Sequence, residues 1–211
     1  MRPENETVGQ RRSFIEEARR RQIIASAVEV ISEVGYGSAS LARIAKHAGI
    51  SKGVISYHFA GKDELMEQLV IQLYVSAGEH IAPAVMAAEG AHNQLLAYIG
   101  SNLQFIDANK RYVAALIDVV LNLRDADGKP RFASAEGEQE IIQPLVDIMR
   151  EGQRRGEFGD FDPRVMAMSI RDAIDGAAGR AIRDKDFDMT TYSAHVCRLF
   201  DVATGKRGSD D

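Results

Sequence analysis

Residues 40–59, SLARIAKHAGISKGVISYHF, constrain this chain more tightly than any other stretch. Ser40 is an N-cap, because its hydroxyl can accept from an orphan backbone N–H at the start of a helix. Leu41, Ile44, Ala45 and Ala48 then recur at helical spacing and give that helix one apolar face. Gly49 ends it, since glycine takes up the left-handed conformation without a Cβ clash. Ile50 fills the space at the turn, Ser51 caps a second helix, and Ile55 and Phe59, four apart, form its inward face. Two short helices joined in this way make a helix-turn-helix, in which Ala45 is small where the helices cross.

If Ile55 anchors the second helix from inside, Lys52, Gly53, Ser56 and Tyr57 point outward, with Val54 at the edge. Short, polar and aromatic side chains on such a face suit a helix laid into a DNA major groove, with Val54 available to a thymine methyl. Ser40, Arg43, Lys46, His58 and Lys62 surround that face and are the candidates for phosphate contacts. The same helical corner also occurs in proteins that never touch DNA.

Charge favours the first reading. The chain of 211 residues has a net charge of −5, but between positions 11 and 62 nine basic residues stand against four acidic ones. That segment carries +5 and the remainder −10. A basic segment joined to an acidic body suits a nucleic-acid reader with a second domain of another purpose.

The flanks add a resemblance. Gly35-Tyr36-Gly37 before the motif, Ser51-Lys52-Gly53 and Tyr57-His58-Phe59 within it, and Gly61-Lys62-Asp63-Glu64-Leu65 after it resemble the N-terminal signature of the TetR family of bacterial one-component transcriptional regulators. The resemblance is dense over residues 23–69. Val54-Ile55-Ser56 departs from the Thr-Leu-Tyr of many members, which bears on base preference rather than fold. Beyond the motif the resemblance is one of helix count and length.

The remaining pattern is helical throughout. Residues 1–12 read as a polar basic arm without periodicity, and Ser13 with Glu16 as a capping box that starts the first helix. The domain containing the motif then covers 13–62. At least one of Arg19, Arg20 and Arg21 is expected to face a phosphate. A long helix follows from Lys62, with Asp63 and Glu64 favouring its dipole and Pro83 breaking or kinking it. Helical patterns recur over 93–108, 110–123, 138–156, 163–184 and 188–204, with a polar loop at 124–137 and a frayed tail at 205–211. The expectation is an all-α protein of about nine helices, with a three-helix DNA-binding domain and a helical domain over 63–204 for effector binding and dimerisation.

Two stripes on the last helices suggest that dimer: Met166, Ile170, Ala173, Ala177 and Ala181 on one, Tyr192, Val196, Leu199 and Ala203 on the other. Small residues allow close approach, and two such hairpins can build a four-helix interface around a two-fold axis. A dimer fits a palindromic operator, whose half-sites lie about 34–36 Å apart. The resemblance also implies an effector pocket among the helices over 65–155. Met66, Tyr74, Tyr98, Phe105, Tyr112, Asp118 and Met149 are its candidate lining. Asp118 is informative because it sits in YVAALIDVVLNL, where an unpaired carboxylate is costly; it either serves a ligand, faces water or pairs with an arginine.

Other chemistry finds little support. The five histidines lack the i, i+3 or i, i+4 spacing of a helical metal site, and Cys197 is the one cysteine. No Walker loop, dinucleotide fingerprint or nucleophile elbow is present. No cofactor and no enzyme activity are expected. The lack of an apolar leader, of a run of 18 apolar residues and of a second cysteine points to a cytoplasmic protein that does not span a membrane. The expected function is a homodimeric regulator, a repressor released from DNA by a small-molecule effector. The competing classes are an all-α ligand-binding protein or enzyme that uses the helix corner as scaffold, and a non-specific architectural DNA binder.

Overall fold

The computed structural model describes residues 4–132 and 135–206, apart from the side chains of 4–13, 135, 136 and 138. The chain forms helices α1 (Glu4–Ser38), α2 (Leu41–His47), α3 (Lys52–His58), α4 (Lys62–Ala87), α5 (Gly90–Ala108), α6 (Lys110–Asn122), α7 (Ala135–Arg155), α8 (Pro163–Arg183) and α9 (Met189–Thr204). Among the described residues the only β pairing is an isolated bridge between Arg124 and Pro130. The all-α expectation holds.

The helices fall into two compact units, Met1–Leu73 with Ala115–Pro130, and Tyr74–Ala114 with Arg131–Asp211. The first half of α4 belongs with the helix-turn-helix, and so does the second half of α6.

In the first unit, α1 packs on α2 and α3. Its Ile23, Ile24, Ala27, Val28, Val30 and Ile31 are buried with Ile44, Ala45, Ile55 and Phe59. Helix α4 adds Leu65, Met66, Leu69, Val70 and Leu73 to the buried set. Among the described residues α4 is the one helix long and apolar enough to cross a bilayer; its first half buries those five side chains, and its later apolar residues Tyr74, Val75 and Met86 are exposed.

Three expectations about α1 and α4 change. The helix runs from Glu4, so residues 4–12 are helical, Ser13 lies inside the helix, and no capping box starts there. The first three residues of the expected arm and the side chains of Arg11 and Arg12 lie outside the described residues. Gly35 breaks α1, with φ 76° and ψ 158°, a left-handed step that disfavours any side chain. Pro83 does not end α4, which continues to Ala87; Pro83 is exposed, so its missing N–H carries no buried cost.

In the second unit α5 is central and packs against α7, α8 and α9, while α8 packs on α7 and α9. Leu95, Ile99 and Leu103 of α5 are wholly buried, as are Leu145 and Met149 of α7 and Ile170, Ile174 and Ala177 of α8. Asp162 caps α8 by accepting from the Arg164 and Val165 N–H groups, and Pro163 opens the helix where no donor is needed. The tail beyond Lys206 lies outside the described residues.

Candidate nucleic-acid interface

The turn between α2 and α3 is built as the residue types require. The Ser40 hydroxyl accepts from Arg43 N–H at 3.3 Å and caps α2. Gly49 takes φ 67°. The Ile50 N–H donates to Ala45 O at 3.0 Å and closes the turn. Ser51 holds the N-cap position of α3, but its side chain makes no cap bond; its carbonyl accepts from Val54 N–H at 3.1 Å. Ile44, Ala45, Ile55 and Phe59 form the buried side of the pair.

That leaves one face. Ser40, Arg43, Lys46, Lys52, Gly53, Ser56 and Tyr57 are exposed, with Val54, His58 and Lys62 half-buried. Tyr57 is 75 % exposed, a large apolar surface to leave in water on so short a helix. Its ring meets His58 edge-on at 5.0 Å, and its hydroxyl stands 3.5 Å from a Glu16 carboxylate oxygen. No described carboxylate lies within ion-pair distance of Arg43, Lys46 or Lys52. Three cations and an aromatic side chain therefore share one exposed helix pair.

The three arginines of α1 take other parts. Arg19 donates to Gln22 at 2.6 Å, and Arg21 pairs with Glu17 at 3.1 Å. Arg20 ties three elements together. It donates to the His58 carbonyl at the end of α3, lies 3.8 Å from Glu64, and stacks 4.4 Å over the Phe59 ring. The expected phosphate contact from this trio is thus replaced, for Arg20, by a structural clamp. Glu64 also accepts from Ala60 N–H at 2.6 Å and so holds the entry to α4.

Lys62 is partly drawn inward. Its ammonium donates to Tyr36 O at 2.6 Å and lies 4.1 Å over the Tyr36 ring. Partial burial lowers its pKa, while Asp63 and Asp118 act in the opposite direction.

The candidate effector residues divide between the units. Met66 and Asp118 belong to the first; Tyr74, Tyr98, Phe105, Tyr112 and Met149 belong to the second. Met66 and Met149 are wholly buried core, Tyr98 and Phe105 are nearly so, Tyr112 is half-buried, and Tyr74 is exposed. Asp118 is already engaged: Oδ2 accepts from Tyr36 N–H at 2.6 Å and Oδ1 from Asn122 Nδ2 at 2.8 Å. Asp118 is half-buried, and its two carboxylate oxygens meet a backbone N–H and a side-chain amide. Nothing in sequence spacing reveals a backbone partner 82 residues away.

The second unit holds a polar cluster that the sequence did not reveal. Arg171 donates to Asn102 Oδ1 at 3.2 Å and to Asp175 at 2.5 Å. Burial works against its charge, but Asp175 and Tyr98 outweigh that, and its pKa is raised. Read alone, RDAID on an amphipathic helix looks like a solvated face.

The expected dimer stripes are largely turned inward. Ile170, Ala177, Ala181 and Val196 are buried in the protomer's own core. Met166, Ala173 and Tyr192 are half-buried, and the Tyr192 hydroxyl donates to Ala173 O at 2.9 Å. Leu199 and Ala203 are exposed as expected. The large apolar side chains left open on these helices are Val165, Met168 and Ile182 of α8 and Leu199 and Val202 of α9. Both helices are apolar on more than one side, so spacing identified a stripe without saying which way it faced.

Comparison with known proteins matches this geometry. Residues 23–69 match the family described as bacterial regulatory proteins, tetR family. Over 93 residues the chain is 39 % identical to the HTH-type transcriptional regulator BetI 1 of Chromohalobacter salexigens, covering 44 % of this chain and 46 % of that one. Less than half of that relative's length is therefore matched. A longer match, 26 % identical over 180 residues, is to the fatty acid metabolism regulator protein of Bacillus subtilis, covering 84 % of this chain and 91 % of the relative. Among solved structures, the transcriptional regulator FadR from Bacillus subtilis in complex with stearoyl-CoA superposes with a TM-score of 0.67 at 24 % identity, covering 85 % of this chain and 96 % of that one.

Proposed function

We propose that the chain, which carries the signature of the tetR family of bacterial regulatory proteins over residues 23–69, is a homodimeric, sequence-specific DNA-binding repressor released from its operator by a small molecule. The observation that carries this reading is the outward face of α3. Lys52, Ser56 and Tyr57 stand exposed over a wholly buried Ile55. Lys52, Ser56, Tyr57 and Val54 read base edges, and Arg43 and Lys46 hold phosphates. Ser40 also caps α2, so it offers phosphate a hydroxyl already held in place.

A second copy completes the reader, because one short helix buries little area. The support for pairing is the exposed apolar set on α8 and α9, with Val165 60 %, Leu199 60 % and Val202 73 % exposed. The effector acts only through different affinity for DNA-competent and DNA-incompetent arrangements of the dimer. We take its chemical class to be a long-chain acyl-CoA. The relative matching over most of its length regulates fatty acid metabolism, whereas the match to BetI 1 covers less than half of either chain. Regulation of transcription in the cytoplasm, without catalysis, follows from the same reading.

A gel-shift with the DNA upstream of the protein's own gene tests the proposal. The expected result is a discrete complex of one dimer per site, which random DNA competes away only at about 10³-fold excess or more. Equal competition by random DNA would leave a non-specific binder. Stearoyl-CoA is the first probe for release, with a thermal shift of the free protein as the companion measurement.

A further inference from the structure

The clasp around Tyr36 lies wholly inside the first unit and has no part in base reading as described above. Gly35 breaks α1 in a left-handed step, and the next residue, Tyr36, is gripped through the two peptide groups that flank it. Its N–H donates to Asp118 Oδ2 of α6 at 2.6 Å. Its carbonyl accepts from Lys62 Nζ at 2.6 Å and from Ala39 N–H at 3.2 Å. A Cβ at Gly35 would lie 3.7 Å from Asp118 Oδ2, so the carboxylate rests against the kink itself. Asn122 supports the grip from one turn on, donating 2.8 Å bonds to the Asp118 carbonyl and to Oδ1. Ala39 is buried, and its neighbour Ser40 caps α2.

We propose that Asp118 is a positioning residue for DNA binding: by holding the Tyr36 N–H, its carboxylate sets the kink from which α2 departs and holds Lys62 where its remaining N–H groups reach a phosphate. The proposal rests on the DNA-binding reading and adds a residue to it. A hydrogen bond to a charged acceptor is among the stronger ones in a protein, and a partly buried N–H left without it is penalised. Partial burial lowers the Lys62 pKa, and the Asp63 and Asp118 carboxylates act against that. Helix α6 contributes residues to both units, its first turn to the second and its later turns to the first.

The test uses the full chain and the DNA upstream of its gene. Asp118→Ala is expected to bind about tenfold or more weakly than wild type, with the magnitude of the log–log salt slope reduced by roughly 0.9, the loss of one phosphate contact. Asp118→Asn keeps an oxygen acceptor for the Tyr36 N–H and is expected within about threefold of wild type. In the Asp118→Ala background, Lys62→Ala is expected to cost nothing further. Hydrogen exchange supplies the structural readout. The Tyr36 amide is expected to lose protection in Asp118→Ala while the Ile44 and Ile55 amides keep theirs.

Unchanged or tighter DNA binding by Asp118→Ala would overturn the proposal, leaving the carboxylate as a negative charge near a basic face. So would additive losses with an unchanged salt slope, or loss of protection at Ile44 and Ile55, which would make Asp118 a fold residue. Failure of the wild type to bind any DNA would instead remove the DNA-binding reading, and the exchange of the Tyr36 amide would still report whether the clasp forms.

Discussion

Helices α3 and α8 expose opposite chemistry. Helix α3 has seven residues; it buries Ile55 and turns Lys52, Ser56 and Tyr57 outward. Helix α8 has twenty-one; it buries Ala167, Ile170, Ile174, Ala177, Ala178 and Ala181, yet still exposes Val165, Met168 and Ile182. One apolar anchor fixes which way a short helix faces, and the remaining residues are free to meet a charged partner. A long helix apolar on several sides can bury one stripe and retain another, and the retained stripe is the candidate for a second copy.

Substitutions on the two faces of the α8–α9 hairpin sharpen that comparison, and they carry the largest expected effects. Ala177→Glu places an unpaired carboxylate in the core and is expected to cost at least about 3 kcal/mol, read as a collapsed melting transition. Leu199→Glu with Val202→Glu should leave the protomer folded by circular dichroism while sedimentation velocity shows monomers. If instead Ala177→Glu gave folded monomers and the outer pair stayed dimeric, the two stripes would have to be exchanged.

Next in size is the anchor of α3. Ile55→Ala should cost roughly 2–5 kcal/mol, because the side chain is wholly buried, and DNA binding should fall with the loss of folded protein. Denaturant unfolding followed at the first unit's amides gives the value. A loss well below 1 kcal/mol would mean that α3 is held by something other than its inner face.

Smaller still is the effect of one phosphate contact. Lys46→Ala should weaken binding to all duplexes alike and flatten the salt dependence by about 0.9 in log–log slope. Sequence-selective weakening would move Lys46 from the backbone to the bases.

The smallest effect concerns a pair that links α5 to α9. His92 Nε2 lies 2.6 Å from Asp201 Oδ1, and that hydrogen bond raises the imidazole pKa against the opposing effect of partial burial, with Glu157 also nearby. A raised folded-state pKa stabilises fully below the ordinary histidine value near 6.5, and the gain disappears as pH rises through the raised one. Because both side chains are 40 % or more exposed, the contribution should stay below about 1 kcal/mol. Melting curves of Asp201→Asn should therefore differ from wild type at pH 5 and coincide with it at pH 9; a gap that widened with pH would reverse the assignment.

Much of the fold was legible in the sequence. Helix starts with a strong cap, such as Asp162 before Pro163, and the turn at Gly49 fall where residue chemistry puts them. The outward set on α3 was legible for the same local reason. Three features were not. The division between the units runs through α4 and α6, which no cap or composition change marks. Asp118 meets a backbone N–H, and Arg20 a backbone carbonyl, and backbone partners carry no residue signature. The direction of a doubly apolar helix depends on its neighbours, so Ala177 and Val196 were read as outward when they are core.

Selection from a library of randomised duplexes tests the central claim most directly, because it asks whether the face carrying Lys52, Ser56 and Tyr57 reads bases twice per assembly. The account predicts enrichment of a palindrome whose half-sites lie about one helical turn, 34–36 Å, or a multiple of it apart. It also predicts that Val54→Ala and Ser56→Ala change the enriched bases within each half-site. A wild-type selection with no enriched motif, or an enriched motif that both substitutions leave unchanged, would contradict it.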